Sequence, residues 1–326
     1  MTKQLKVIRL VNANGMALQL CNYGATIMDL QVPDREGNLV PVVVGLEKAS
    51  DYYNSPHPCL GSSIGRYAGR IAGGQFTLQG KTYPIYHENG VHLHGGKRGF
   101  DSRFWEVRSL NQDTNPSVSL GLHSPHMEEG YPGNLEVTVT YQLTEDNALH
   151  ITYQAQTDQP SPVNLTNHAY YNLEGMGSIT GHHLMIKAAH YLEVSEQLLP
   201  SGKLLPTQNS RFDRAKLTQI GRPDFTGYDD TFVLQEGDLK AVLISPKTGI
   251  RMAVFTNQPA TVVYTPPQLP ELPYKEGRSY GPFSAICFET QQFPDAPNQA
   301  HFPQAILRPG ETYCNASVFD FGLVDE

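Results

Sequence analysis

Apolar and polar residues alternate with a period of two along much of the chain. In residues 135–143, Leu135, Val137, Val139, Tyr141 and Leu143 form one face, and Glu136, Thr138, Thr140 and Gln142 form the other. That period is the signature of a half-buried strand. Residues 149–155 return after the turn-forming run Thr144-Glu145-Asp146-Asn147. Residues 25–32 and 39–44 are predicted to pair across the turn at 33–38, and 75–78 with 82–86 across Gln79-Gly80-Lys81. Residues 240–244 and 250–255 flank Ser245-Pro246-Lys247-Thr248-Gly249, and 312–319 read as a last strand. Helical spacing is confined to short turns near 47–52 and 211–220. Many short strands with turn chemistry between them predict an all-β sandwich or barrel. No short-period repeat points to a propeller, and no long linker divides the chain, so residues 1–326 are expected to form one domain. The longest irregular stretches are 50–74, 83–103, 195–231 and 266–284. Binding residues are expected there, because loops on a rigid sheet scaffold carry function.

Composition narrows the class of partner. Hydrophobic residues make up 39% and charged residues 17%, which fits a globular chain with a sizeable core. The formal net charge of −8 argues against nucleic acid, whose phosphates need clustered Lys and Arg, and against an anionic membrane surface. A small neutral ligand stays open. Cys21, Cys59, Cys287 and Cys314 form no C-x-x-C pair and sit in or near apolar stretches. They read as reduced thiols, and with no signal-peptide core in residues 1–10 the expected location is the cytoplasm.

Five segments carry candidate chemistry. Ile64-Gly65-Arg66-Tyr67-Ala68-Gly69-Arg70-Ile71 sets two arginines among small residues, either as a solvated surface loop or as a donor to hydroxyl groups. His92 and His94 stand two apart before Gly95-Gly96, so on a strand they would share a face. A structural metal would need further ligands that no nearby Cys or His supplies. The run from Val163 to Leu173 packs Asn164, Asn167, His168, Tyr170, Tyr171 and Asn172 among apolar residues. It is either a satisfied core network or part of a carbohydrate pocket. Asp229 and Asp230 precede a strand, where a turn or capping role is common. Glu289 follows Ile286-Cys287-Phe288 in an apolar strand. Burial there would raise its pKa, which suits a general base.

Taken in order, with Asn22-Tyr23-Gly24-Ala25 near the start and Asn298 near the end, these segments resemble the aldose 1-epimerase (galactose mutarotase) family. The resemblance implies a large antiparallel β-sandwich of the galactose-mutarotase type. It implies interconversion of the α and β anomers of a free aldose such as glucose or galactose. It assigns Glu289 as general base, His168 as general acid, and Arg70, His94 and Asp229 as hydrogen-bond partners of sugar hydroxyls. It implies no metal and no organic cofactor. Three positions depart from the common family pattern: Gly69 for Asn, Asp230 for His and Tyr171 for Phe. A neighbouring carboxylate is expected to raise the pKa of His168. The pH–rate profile is expected to be bell-shaped, with Glu289 limiting the acid side and His168 the alkaline side. Three other readings use the same residues: a glycoside hydrolase built on Asp229 and Glu289, a non-catalytic sugar-binding module, and a hexose-phosphate epimerase with Lys97 and Arg98 on the phosphate.

Overall fold

The computed structural model describes residues 4–223 and 225–324. The period-two segments become strands, and their apolar faces meet in one core. A nine-stranded sheet has the order Glu106–Asn111, Ser117–Ser124, Leu135–Leu143, Ala148–Thr157, Tyr313–Leu323, Ile250–Thr256, Leu239–Ile244, His183–Ile186 and Thr218–Gln219. A five-stranded sheet has the order Pro200–Pro206, Ala188–Val194, Asp229–Leu234, Ala260–Tyr264 and Cys287–Gln291. A four-stranded sheet joins Val7–Val11, Ala17–Cys21, Thr26–Pro33 and Leu39–Pro41. Pairing within each sheet is antiparallel. The principal apolar cluster draws Val137, Tyr153 and Met252 from the first sheet, Phe232, Val263 and Phe288 from the second, and Leu18 and Ile27 from the third. The architecture is the β-sandwich expected from the alternation, closed on both faces by side chains of facing sheets.

The predicted hairpins form. Gln31 faces Pro41, Leu78 faces Lys81, and Leu243 faces Met252. The expected helical turn near 47–52 is a single turn at Asp51–Asn54. The one expected at 211–220 is absent. The Arg214 guanidinium is buried there and donates to Tyr228 Oη, Thr218 Oγ1, and the carbonyls of Gln219 and Ile220. Those bonds hold an irregular backbone that a helix would break. The stretch 195–231 also contains the edge strand Pro200–Pro206, which pairs on one side only, with Ala188–Val194.

The five-stranded sheet is what positions the site. Its Phe232, Val263 and Phe288 face the core. The alternate residues therefore face outward. Register then aligns them in rows across the three strands. Thr231 lies opposite Val262, and Val262 opposite Glu289. Asp229 lies opposite Tyr264, and Tyr264 opposite Cys287.

Candidate active site

Glu289 is 2% exposed, beside the apolar Val262 on the neighbouring strand. His168 is 5% exposed and reaches the same point from a different element. It follows the short strand Thr166–Asn167, which pairs with Ser63–Ile64. Its backbone is fixed on both sides: its N–H donates to Ser62 O, and its carbonyl accepts from Gly61 N. Its ring stacks on Tyr170 with centroids 5.0 Å apart, and Tyr264 and His94 meet it edge-on. His168 Nε2 then lies 3.5 Å from Glu289 Oε1. Glu289 Oε2 and His168 Nδ1 are buried and have no protein partner. Such atoms cost stability unless a ligand uses them.

Both ionisations are disfavoured by burial. The Glu289 carboxyl is pushed up to about 8 by burial first, with Asp229 adding to the rise and Arg70 opposing it. Burial pulls the His168 imidazole down to about 4. This overturns the expectation that the carboxylate would raise His168, because desolvation of the imidazolium outweighs attraction to a neighbour that is itself mostly protonated. Between those values the pair holds one proton, and the two apparent values belong to the pair.

Arg70 begins the strand Arg70–Ala72, which pairs with Val91–Leu93. Asp295 clamps that strand: its N–H donates to Arg70 O, and its Oδ1 accepts from Ala72 N. Arg70 Nη2 lies 3.4 Å from Asp229 Oδ2, so the two form a half-buried cation–anion pair at the cavity wall. His94 lies just beyond the end of Val91–Leu93 with φ +50°, which turns it toward His168. Gly95 follows at φ +89°, and a Cβ there would sit 1.8 Å from Gly65 O, so no other residue fits. His94 Nδ1 accepts from Gly69 N at 3.2 Å, which leaves the ring proton on Nε2 as a donor. Burial holds His94 well below its ordinary value and neutral.

The five predicted residues, Glu289, His168, Arg70, His94 and Asp229, line one cavity of about 240 Å³. Several other expectations are corrected. His92 and His94 do not share a face: His92 is fully buried, bonded to Tyr86 O and Tyr131 Oη at 2.6 Å each. The three asparagines of 163–173 do not line the cavity but hold loops: Asn164 bonds Ala68 O and Gln292, Asn167 bonds Gly61 O, and Asn172 bonds Ser284 O. Only His168 and Tyr170 of that run line it. Sequence reasoning missed Thr231 and Tyr264, which also line it. Thr231 shares a face with Asp229 on the same strand by the period of two, and strand register brings Tyr264 opposite Asp229.

The three departures from the family pattern fall in different places. Asp230 turns away, pairing with Arg211 at 3.1 Å and accepting from Asp229 N. Tyr171 is buried against Phe319 with centroids 5.3 Å apart. Gly69 does line the cavity. Its φ of +80° is one that Gly or Asn adopts most readily.

His94, His168 and Glu289 each offer one ligand atom, all within 4.8 Å of one another. His94 fits a metal poorly, since its Nδ1 lone pair is already committed to Gly69 N. Lys97 and Arg98 do not line this cavity, and their backbone N–H groups donate to Glu129. Among the described residues that line it, Arg70 is the sole Lys or Arg, and Asp229 offsets its charge. That lining does not suit a phosphate.

Known proteins resemble this chain across nearly its full length. Galactose mutarotase of Sus scrofa is 39% identical over 324 residues, covering 96% of this chain and 93% of that protein. Aldose 1-epimerase of Escherichia coli (strain K12) is 36% identical over 332 residues, covering 97% and 95%. The crystal structure of a GalM/aldose epimerase homologue from C. elegans superposes with a TM-score of 0.93 at 29% identity, covering 99% of this chain and 100% of that one. The aldose 1-epimerase family model matches residues 6–319, a span that holds both the five-stranded sheet and every residue of the Glu289 cavity, and the chain therefore belongs to the aldose 1-epimerase family.

Proposed function

We propose that this chain is an aldose 1-epimerase that interconverts the α and β anomers of a free aldohexose, with Glu289 as general base and His168 as general acid. The observation that carries this reading is the 3.5 Å approach of two buried titratable groups, each with an unpartnered atom, in a cavity with balanced charge. Glu289 takes the proton of the C1 hydroxyl while His168 gives a proton to the ring oxygen, and the bond between C1 and that oxygen breaks. The aldehyde rotates about the bond from C1 to C2. The freed hydroxyl then attacks either face of the aldehyde, returning its proton to His168 as Glu289 gives its proton to the aldehyde oxygen. Opening turns a carboxylate–imidazolium pair into a neutral acid and a neutral imidazole. Burial favours that neutral arrangement, so it draws the charged pair toward opening while keeping that pair a minor form of the free protein. Arg70, Asp229 and the Nε2–H of His94 are placed in this reading on the remaining hydroxyls. Polarimetry on freshly dissolved α-D-glucose and α-D-galactose tests it: rotation should reach equilibrium faster with protein than without, with no release of new reducing ends from glycosides. The hydrolase reading is weakened because Asp229 is paired with Arg70 at 3.4 Å.

Two predictions follow from this site. Activity is expected to persist after exhaustive chelation, since the His94, His168 and Glu289 group would need His94, whose Nδ1 lone pair is committed to Gly69 N. Loss of activity that added Zn²⁺ restores would overturn the metal-free reading. Asp229→Asn is expected to move the alkaline limb of kcat/KM to lower pH. Asp229 helps hold the last proton on Glu289, and Arg70, freed of its partner, pulls the same way. KM should rise as a hydroxyl acceptor is lost. A limb that stays in place would mean that Asp229 does not act on Glu289 through its charge.

A further inference from the structure

The strands Ala188–Val194 and Pro200–Pro206 form a hairpin at the edge of the five-stranded sheet. Ala188, His190 and Tyr191 pair with Leu234, Val233 and Phe232 of the inner neighbour. Beyond Tyr191 the hairpin pairs only with itself, through a register shift between Leu192 and Val194. Its far end reaches the Glu289 cavity, where Val194, Leu198 and Pro200 form part of the lining. Ser195 N donates to Leu199 O, and Leu198 N donates to Ser195 O, which makes Glu196, Gln197 and Leu198 a three-residue loop. Leu198 closes that loop at φ +59°. A loop of this kind ordinarily ends on glycine, and asparagine is among the side chains that tolerate such a φ best. Ser195, Glu196 and Gln197 are exposed, while Leu198 is half-buried in the cavity wall.

We propose that Leu198 is a positioning residue for anomer exchange: its side chain packs on the C–H surface of the bound sugar and keeps water from the pair of Glu289 and His168. The proposal rests on the anomer-exchange reading and goes beyond it to a residue that touches neither proton. Local preference runs against a leucine at φ +59°, so the backbone does not account for its place and the side chain has to. The core does not account for it either. Among the described residues, Leu198, Val194 and Pro200 belong to none of the apolar clusters that hold the sheets together. Their apolar surface is turned instead to the cavity. A pyranose offers hydroxyls to Arg70, Asp229 and His94, but its C–H surface needs apolar contact. A cover of that kind also excludes water, which strengthens each charge interaction in the pocket while the proton moves.

Leu198→Asn is the test, because it suits the loop and replaces the apolar cover with an amide of similar size. Urea unfolding should place the variant at or above wild type in stability. Polarimetry on α-D-glucose and α-D-galactose should show kcat/KM lowered about tenfold, and Leu198→Met should restore most of that loss. The alkaline limb of kcat, which reports the sugar complex, should move to lower pH by about half a unit or more, since entering water favours the charged carboxylate of Glu289. Besides Tyr170, stacked on His168, the other titratable side chains that line the cavity are Cys59, Arg70, His94, His168, Asp229 and Tyr264, and the substitution alters the charge of none. Calorimetric titration with galactose gives the comparison without turnover, and binding to Leu198→Asn should be several-fold weaker. A protein that exchanges no anomers would fail the reaction reading, while the calorimetry still decides the role of Leu198. Wild-type kinetics with an unmoved limb, unchanged sugar affinity, or a loss of stability in Leu198→Asn would overturn the proposal.

Discussion

Glu289→Gln is expected to lower turnover roughly 10³-fold and, at the same time, to make the folded protein more stable above pH 5. The amide keeps the shape of the side chain but cannot take the proton from the C1 hydroxyl. Sugar affinity should change far less than turnover, because the lost step belongs to the transition state. The stability gain follows from the same burial. The Glu289 carboxyl rises from 4.5 to about 8 on folding. The folded chain therefore keeps a proton that the unfolded chain releases as pH passes 4.5. A raised value of this kind costs stability increasingly between the two values, by about 1.4 kcal/mol for each pH unit. By pH 7 the cost is about 3 kcal/mol, and glutamine removes it. Wild type and variant should thus unfold at similar urea concentrations near pH 4.5 and separate as pH rises to 8. Turnover close to wild type would remove Glu289 from the role of base. Equal stability at pH 5 and pH 7.5 would show that its carboxyl is not raised in the folded chain.

Strand alternation made most of the scaffold legible. Residues 135–143 were read as a strand, and Leu135–Leu143 is one, with buried and exposed positions as the pattern implies. The edge strand Pro200–Pro206 was not readable. Its Pro-Ser-Gly-Lys start has turn chemistry, and most of its residues are not buried. Pairing with Ala188–Val194 holds it, and no local preference records that partner. Around 211–220 the spacing of Phe212, Leu217 and Ile220 imitates a helix, but the buried Arg214 makes bonds across the segment that no residue pattern reveals.

The site was legible for uneven reasons. Glu289 stood out because an acid in an apolar strand needs a task, and it lines the cavity. His168 was noticed through the polar density of its segment, yet the asparagines that made that density serve the backbone. Tyr264 was invisible because its placement depends on register with a strand far along the chain, whereas Thr231 follows Asp229 by the strand period of two and was open to the same reading. The direction of the His168 shift was also misread. The family resemblance places a carboxylate near an imidazole, but it does not say that both are almost fully buried, and burial decides the sign.

That burial also exchanges the limbs of the pH profile, and His168→Asn is the variant that exposes it. In wild type, kcat/KM should be bell-shaped with apparent values near 4 and 8. Below the lower value the pair holds two protons and lacks a base. Above the upper value it holds none and lacks an acid. Burial sets the imidazole low and the carboxyl high, the reverse of the order expected from ordinary side chains, and each limb reports the coupled pair. In His168→Asn the side chain stays similar in size and still hydrogen-bonds, but it carries no transferable proton. Turnover should fall by roughly 10²-fold or more, with a smaller change in sugar affinity. The base alone then controls the profile. Residual activity should rise as Glu289 loses its proton toward pH 8 and should not fall again at higher pH. A bell-shaped profile in the variant, or full turnover with the alkaline limb intact, would show that another group supplies the proton. That result would return the acid–base assignment to the two carboxylates, Asp229 and Glu289.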